Sequence, residues 1–192
     1  MILVLTTPRT GSTWFCKHLS ETHSLDNLGE YFGEHIIATE DQVNKLDFIK
    51  SNPDVVIKCF PWHLNNSRGT FPRASFLEKT LFKLADKIYI LIRSDFTDQC
   101  KSYYLANSTG VWSGEPQDPI VVRTDANLYN YAVSHLQDGY MQLADYHKRL
   151  QCEVIDYAQL PLNRQERYVR PVTWDVEPSV IDFDIKSIFG VN

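Results

Sequence analysis

The chain has 192 residues, enough for one domain with a hydrophobic core, and its 43% hydrophobic and 22% charged residues are ordinary for a globular protein. A formal net charge of −5 excludes broad electrostatic binding to nucleic acid, so any anion site must be a local basic pocket. No apolar run reaches membrane-spanning length, and the N-terminus lacks the basic, apolar and small-residue succession of a signal peptide.

Met1 leads into the run Ile2–Thr6, the first of four aliphatic or β-branched runs; the others lie at 55–60, 87–93 and 152–157. Their nearly unbroken hydrophobicity predicts strands covered on both faces. Between them lie helical patterns with readable starts. Thr39-Glu40-Asp41-Gln42 and Ser75-Phe76-Leu77-Glu78 both fit a capping box, and Asp125 stands where it would cap a long helix bearing Leu128, Ala132, Leu136, Leu143 and Leu150. Strands alternating with helices predict a parallel sheet in a layered α/β domain spanning 1–192. Residues 65–73 and 107–119, rich in Gly, Ser, Pro and Asn, read as long loops, and beyond Pro161 the periodicity weakens. Cys16, Cys59, Cys100 and Cys152 are far apart without metal-ligand spacing. They read as buried, reduced core thiols, which points to a cytoplasmic protein.

The stretch "LTTPRTGSTWFCKHL" at 5–19 breaks from strand to helix through a turn with one Gly, one Arg and four hydroxyl side chains. Amides in the first turn of a helix have no partner within it and suit an anion. Gly11 lets the backbone approach an oxyanion, Ser12 and Thr13 add hydroxyl donors, and Arg9 adds a forked cation. The loop lacks the Gly-Lys pair of a nucleotide-hydrolysing phosphate loop, which counts against phosphoryl transfer from ATP. In "KIYILIRSDFTDQCKSYYLA" at 87–106, Arg93 ends a strand, Asp95 or Thr97 caps the next helix, and Ser102 on that helix converges with Arg93 on a phosphate.

With these pieces in view, the sequence resembles the sulfotransferases that use 3′-phosphoadenosine 5′-phosphosulfate (PAPS). "TTPRTGSTWF" looks like their 5′-phosphosulfate loop and "IRSDFTDQCKSYY" like their 3′-phosphate motif. The R-x-D-x-x-x-Q-x-x-S spacing and the following Thr109-Gly110-Val111-Trp112 are closest to the bacterial trehalose 2-sulfotransferase-like branch. The resemblance covers residues 1 to about 112 well and the remainder loosely. It implies a three-layer, P-loop-like sulfotransferase fold, with PAPS as donor, 3′-phosphoadenosine 5′-phosphate (PAP) as product and no metal. Carried over, Pro8, Arg9, Thr10, Gly11, Ser12 and Thr13 would hold the 5′-phosphosulfate, and Arg93 and Ser102 the 3′-phosphate. Because that branch includes dimers, a homodimer is an admissible assembly.

For the base, the resemblance selects Glu30 in "LGEYF"; a free Glu titrates at ~4.3 and is ionised at neutral pH, and apolar neighbours would strengthen it as a base. Lys58 matches the Lys of the K-T-H element of cytosolic sulfotransferases and is expected to contact the sulfuryl group. Phe60 stands where that element has His, which leaves His63 as the backup base. Tyr157-Ala158-Gln159-Leu160 keeps the frame of the family's Y-E-x-L but has Ala for Glu. No R-x-G-x-x-G element is found, and Arg164, Arg167 and Arg170 stand in similar order, either solvated or closing over the nucleotide. Trp62, Trp112 and Tyr31 are the aromatics expected to face an acceptor, a carbohydrate or small metabolite. Two other readings stay open: a binding module that kept the nucleotide site and lost catalysis, and a small-molecule kinase.

Overall fold

The computed structural model describes residues 1–33, 39–64, 73–112, 120–161 and 172–191. In chain order the elements are β1 (Ile2–Thr6), α1 (Ser12–His23), β2 (Asp26–Gly29), α2 (Thr39–Ser51), β3 (Val55–Cys59), α3 (Pro61–Leu64) and α4 (Arg73–Leu84). They are followed by β4 (Lys87–Ile92), α5 (Phe96–Thr109), β5 (Ile120–Val122), α6 (Ala126–Leu150), β6 (Glu153–Asp156), β7 (Val172–Trp174) and α7 (Ile185–Phe189).

Five strands form one parallel sheet in the order β2-β3-β1-β4-β6, with Leu3 opposite Ile57 on one side and Ile88 on the other. Side chains alternate across β1. Ile2 and Val4 pack with Phe15, Cys16 and Leu19 of α1, whereas Leu3 and Leu5 join a larger core with Leu46 and Ile49 of α2, Leu77 and Leu81 of α4, and Leu136, Tyr140 and Leu143 of α6. Helices therefore cover both faces, which explains why β1, β3 and the end of β4 read as continuous apolar runs. The expected α/β sheet flanked by helices is present. β5 and β7 form a separate two-stranded parallel sheet.

The chain leaves β1 toward β2 on one side and leaves β4 toward β6 on the other. In such sheets the crevice between the diverging strands, at their carboxyl ends, is where ligands bind. Asp125 caps α6 by accepting from the amides of Asn127 and Leu128, and Asp95, not Thr97, caps α5 through the Asp98 amide. α2 begins at Thr39, the residue read as the start of a capping box, but α4 begins at Arg73, so position 75 falls inside the helix and not at its start. α5 runs to Thr109, so the Gly-rich segment after it begins only at Gly110, whose φ of 70° ends the helix. Residues 65–72 and 113–119 of the expected loops, and Arg164, Arg167 and Arg170, lie outside the described residues.

All four cysteines are free; Cys16, Cys59 and Cys100 are buried, but Cys152, just before the edge strand β6, is only half-buried. Burial pushes the Cys16 and Cys100 thiols up to about 12, so they are inert at neutral pH. Among the described residues no helix is long and apolar enough to cross a membrane.

Candidate functional site

The strand order sets the site. Read across the carboxyl edge of the sheet from β2 to β6, the chain presents Glu30 after β2, Lys58 in β3, the 7–11 turn after β1, Arg93 after β4, and Asp156 and Tyr157 at the end of β6. Residues scattered over most of the sequence thereby meet along one edge.

The turn itself is strained and braced. Arg9 adopts φ 66°, a left-handed conformation that costs a non-glycine residue roughly 1–2 kcal/mol and persists only when neighbours hold it. Buried Gln99 supplies that hold: its Nε2 donates to Thr7 Oγ1 at 2.9 Å and to the Pro8 carbonyl at 2.6 Å. Its Oε1 accepts from the Tyr140 hydroxyl at 2.7 Å, and that hydroxyl accepts from the Arg93 amide at 3.0 Å. Burial pushes the Tyr140 phenol up to about 12, so it stays protonated and able to donate. Fully buried Thr6 and Thr10 share a hydroxyl–hydroxyl hydrogen bond of 2.5 Å, and Thr10 also donates to the Thr7 carbonyl at 3.0 Å. The Thr10 hydroxyl, expected to face an anion, instead supports the turn from inside, as the bound carbonyl of Pro8 does.

Gly11, at φ 73°, is the N-cap of α1; no side chain caps this helix, and its first turn holds no acid. Its first amides and the positive end of its dipole therefore meet no side-chain cap and no acid from the helix itself. A Cβ on Gly11 would lie 2.5 Å from two carbons of the Tyr157 ring, so a side chain fails here for both conformation and space. Gly11→Ala is expected to lower unfolding stability by roughly 1–2 kcal/mol in urea titration, the cost of a left-handed alanine before any movement of Tyr157.

Cations flank the helix start on both sides. Toward β4, the Arg9 Nε donates to Ser102 Oγ at 2.8 Å, its Nη1 donates to the Trp112 carbonyl, and Arg93 Nη1 donates to the Arg9 carbonyl at 3.3 Å. Arg93 also lies over the Tyr157 ring at 5.3 Å and near Asp98 at 3.6 Å. Burial first, and then the Arg93 guanidinium, hold Arg9 below the ordinary arginine range. Two like charges that disfavour one another in this way favour a nearby anion.

Toward β3, Lys58 is buried, with its Nζ 3.2 Å from Thr13 Oγ1 and 2.8 Å from Glu30 Oε1; the Glu30 side chain is 42% exposed. The lysine missing from the turn's own sequence thus has a counterpart at the helix start in Lys58 of the neighbouring strand. Glu30 was expected among apolar neighbours, but its partner is an ammonium group. His63, the backup base, accepts from the Phe60 amide at Nδ1 over 3.2 Å, which places the proton of its neutral ring on Nε2. Its ring lies 4.8 Å from Phe60.

Of the three aromatics expected at an acceptor, Tyr31 packs on Phe32 and Phe48 instead. Trp62 and Trp112 belong to an arc of rings that begins and ends at the cations. Lys58 lies over Phe60, which meets Trp62; Trp62 meets His135 at 4.2 Å, His135 stacks on Tyr103, and Tyr103 meets Trp112, whose carbonyl binds Arg9. Beside this arc, between α3 and α6, is a cavity of about 310 Å³ lined by Trp62, His135, Asp138, Gly139, Met141 and Gln142. Gly139 separates it from the turn, for a Cβ there would lie 2.8 Å from Thr7 Cγ2 and 3.4 Å from Trp62.

The sequence reading assigned no role to Gln99, Tyr140, Asp156 or Tyr157. Gln99 was visible within the R-x-D-x-x-x-Q-x-x-S spacing, and a buried polar residue at a fixed offset from Arg93 is the signal that marks it. Tyr140 carries no local signal, since its partners are distant in sequence; Asp156 and Gln159 have the spacing of a capping box, but nothing local marks the bond from Asp156 to the Ser94 amide. Among the described residues no group of three or more His, Cys, Asp or Glu is placed to hold a metal ion. No family model and no curated protein matches this chain.

Proposed function

We propose that the protein is a sulfotransferase of the P-loop-like type that moves a sulfuryl group from PAPS to a hydroxyl group. One observation carries this reading: an uncapped helix start lies between a guanidinium cluster on the β4 side and a lysine–carboxylate pair on the β3 side. A donor with two separate anionic groups and an acceptor with a proton to lose match those two sides. On this reading Ser12, Thr13 and the first amides of α1 bind the 5′-phosphosulfate, with Arg9 beside them, and Arg93 with Ser102 binds the 3′-phosphate.

Glu30 takes the proton of the acceptor hydroxyl as the acceptor oxygen bonds to sulfur. Arg9, Lys58 and the α1 amides stabilise the charge left on the bridging phosphate oxygen as its bond to sulfur breaks, an electrostatic contribution set in place before reaction. The turn's hydrogen-bonded strain serves that purpose, because donors already in place need not reorganise. The acceptor, a carbohydrate or small metabolite, enters from the side of Trp62 and the α3–α6 cavity, whose volume is at the lower end of the ligand-pocket range.

Calorimetric titration with PAP and with AMP tests the donor site. PAP is expected to bind at least roughly tenfold more tightly, because only PAP gives Arg93 and Ser102 a phosphate to bind. Equal affinities would remove the basis of the assignment.

A further inference from the structure

Asp156 ends β6 on the rim of the site and is only 4% exposed. One oxygen, Oδ1, accepts from two backbone amides, that of Ser94 at 3.3 Å and that of Ala158 at 3.1 Å. Ser94 directly follows Arg93, and Ala158 directly follows Tyr157. A single carboxylate oxygen therefore fixes two turns whose preceding side chains, the Arg93 guanidinium and the Tyr157 ring, lie 5.3 Å apart against each other. The Asp156 amide in turn donates to Gln159 Oε1 at 3.4 Å, closing a capping box around the short 3-10 turn at 157–159.

The second oxygen, Oδ2, is buried and has no hydrogen-bond partner among the described residues; the Lys186 ammonium is 3.8 Å away. A carboxylate kept out of water with half its acceptor capacity unused is a costly way to cap one turn. The backbone connection between the Arg93 turn and the Tyr157 turn is what the carboxylate adds. Ala158, two residues on, has no polar side chain to make such a link.

From this geometry we infer that Asp156 is a positioning residue for the nucleotide 3′-phosphate: it sets Arg93 through Ser94 and keeps the Tyr157 ring beneath the guanidinium. The inference rests on the donor reading above. It assigns Asp156 no contact with substrate, and its effect passes through Arg93.

Titration of PAP and AMP into wild type, Asp156→Ala and Asp156→Asn separates this role from simple support of the fold. General loosening weakens both nucleotides alike, whereas misplacing Arg93 weakens only PAP. Asp156→Ala is expected to reduce the preference for PAP over AMP by roughly tenfold with AMP affinity unchanged. Asp156→Asn keeps an oxygen for both amides and is expected to retain most of the preference. In an Arg93→Ala background, Asp156→Ala should have no further effect on the ratio, since the coupled partner is already gone. If Asp156→Ala does not fold, Asp156→Ser, whose hydroxyl is too short to reach both amides, takes its place with the same expectation. A wild type without PAP preference would overturn the donor reading itself. A wild-type preference that survives in Asp156→Ala or Asp156→Ser, or equal losses for PAP and AMP, would overturn the role of Asp156 alone.

Discussion

Glu30→Gln is expected to lower turnover by roughly 10²–10⁴-fold, the contribution of a positioned general base, with PAP affinity left near the wild-type value. The substitution keeps the size of the side chain and an oxygen able to accept from Lys58, now 2.8 Å away. It removes only the ability to take a proton. Because Glu30 is partly open to water, loss of its charge strands the Lys58 ammonium less severely than in a sealed pair, and the fold should survive. Binding and thermal unfolding measured beside turnover check each part. Wild-type rates in the variant would move the proton to another group. His63 is poorly suited to that role, because its unprotonated nitrogen already accepts from the Phe60 amide.

Arg9→Ala is expected to weaken PAP binding and to slow turnover by roughly 10²–10³-fold, the range for removing one preorganised donor from a site of developing charge. The guanidinium is held by Ser102 and by the Trp112 carbonyl, so its orientation is fixed in advance of any anion the proposed reading would bring to it. Arg9→Lys should recover only part of the loss, since a single ammonium cannot reproduce the fork. An Arg9→Ala enzyme with unchanged binding and rate would contradict the role assigned to the turn. Alanine still has to adopt the left-handed backbone at this position, so the stability of Arg9→Ala should change less than its activity.

These two positions also show how much of the molecule could be read from its sequence. Arg9 and Gly11 are part of a strand–turn–helix signal that is local, and β1 and α1 fall where the pattern puts them. The strands at β3, β4 and β6 were also visible, each to within a residue at either end: β3 and the end of β4 because strands buried on both faces produce unbroken apolar runs, and the less buried edge strand β6 through its β-branched Val154 and Ile155. β2 was invisible. Its four residues, Asp26 to Gly29, include one apolar side chain, and an edge strand in this position is held by backbone pairing to β3. Missing β2 also hid why Glu30 belongs to the site, for it is the parallel pairing with β3 that brings Glu30 beside Lys58. The interior roles of Thr10 and Gln99 escaped the reading for a related cause. Sequence identifies a hydroxyl or an amide but not whether it points at a ligand or braces the turn that does.

The most direct measurement is transfer itself: purified protein incubated with sulfur-labelled PAPS and a fractionated extract of small metabolites. Label is expected to move from the donor to a hydroxyl-bearing product with the wild type and to remain on the donor with Glu30→Gln. Label that remains on the donor with wild type in every fraction, while PAP is still bound in preference to AMP, would contradict catalysis and leave a nucleotide-binding protein in its place.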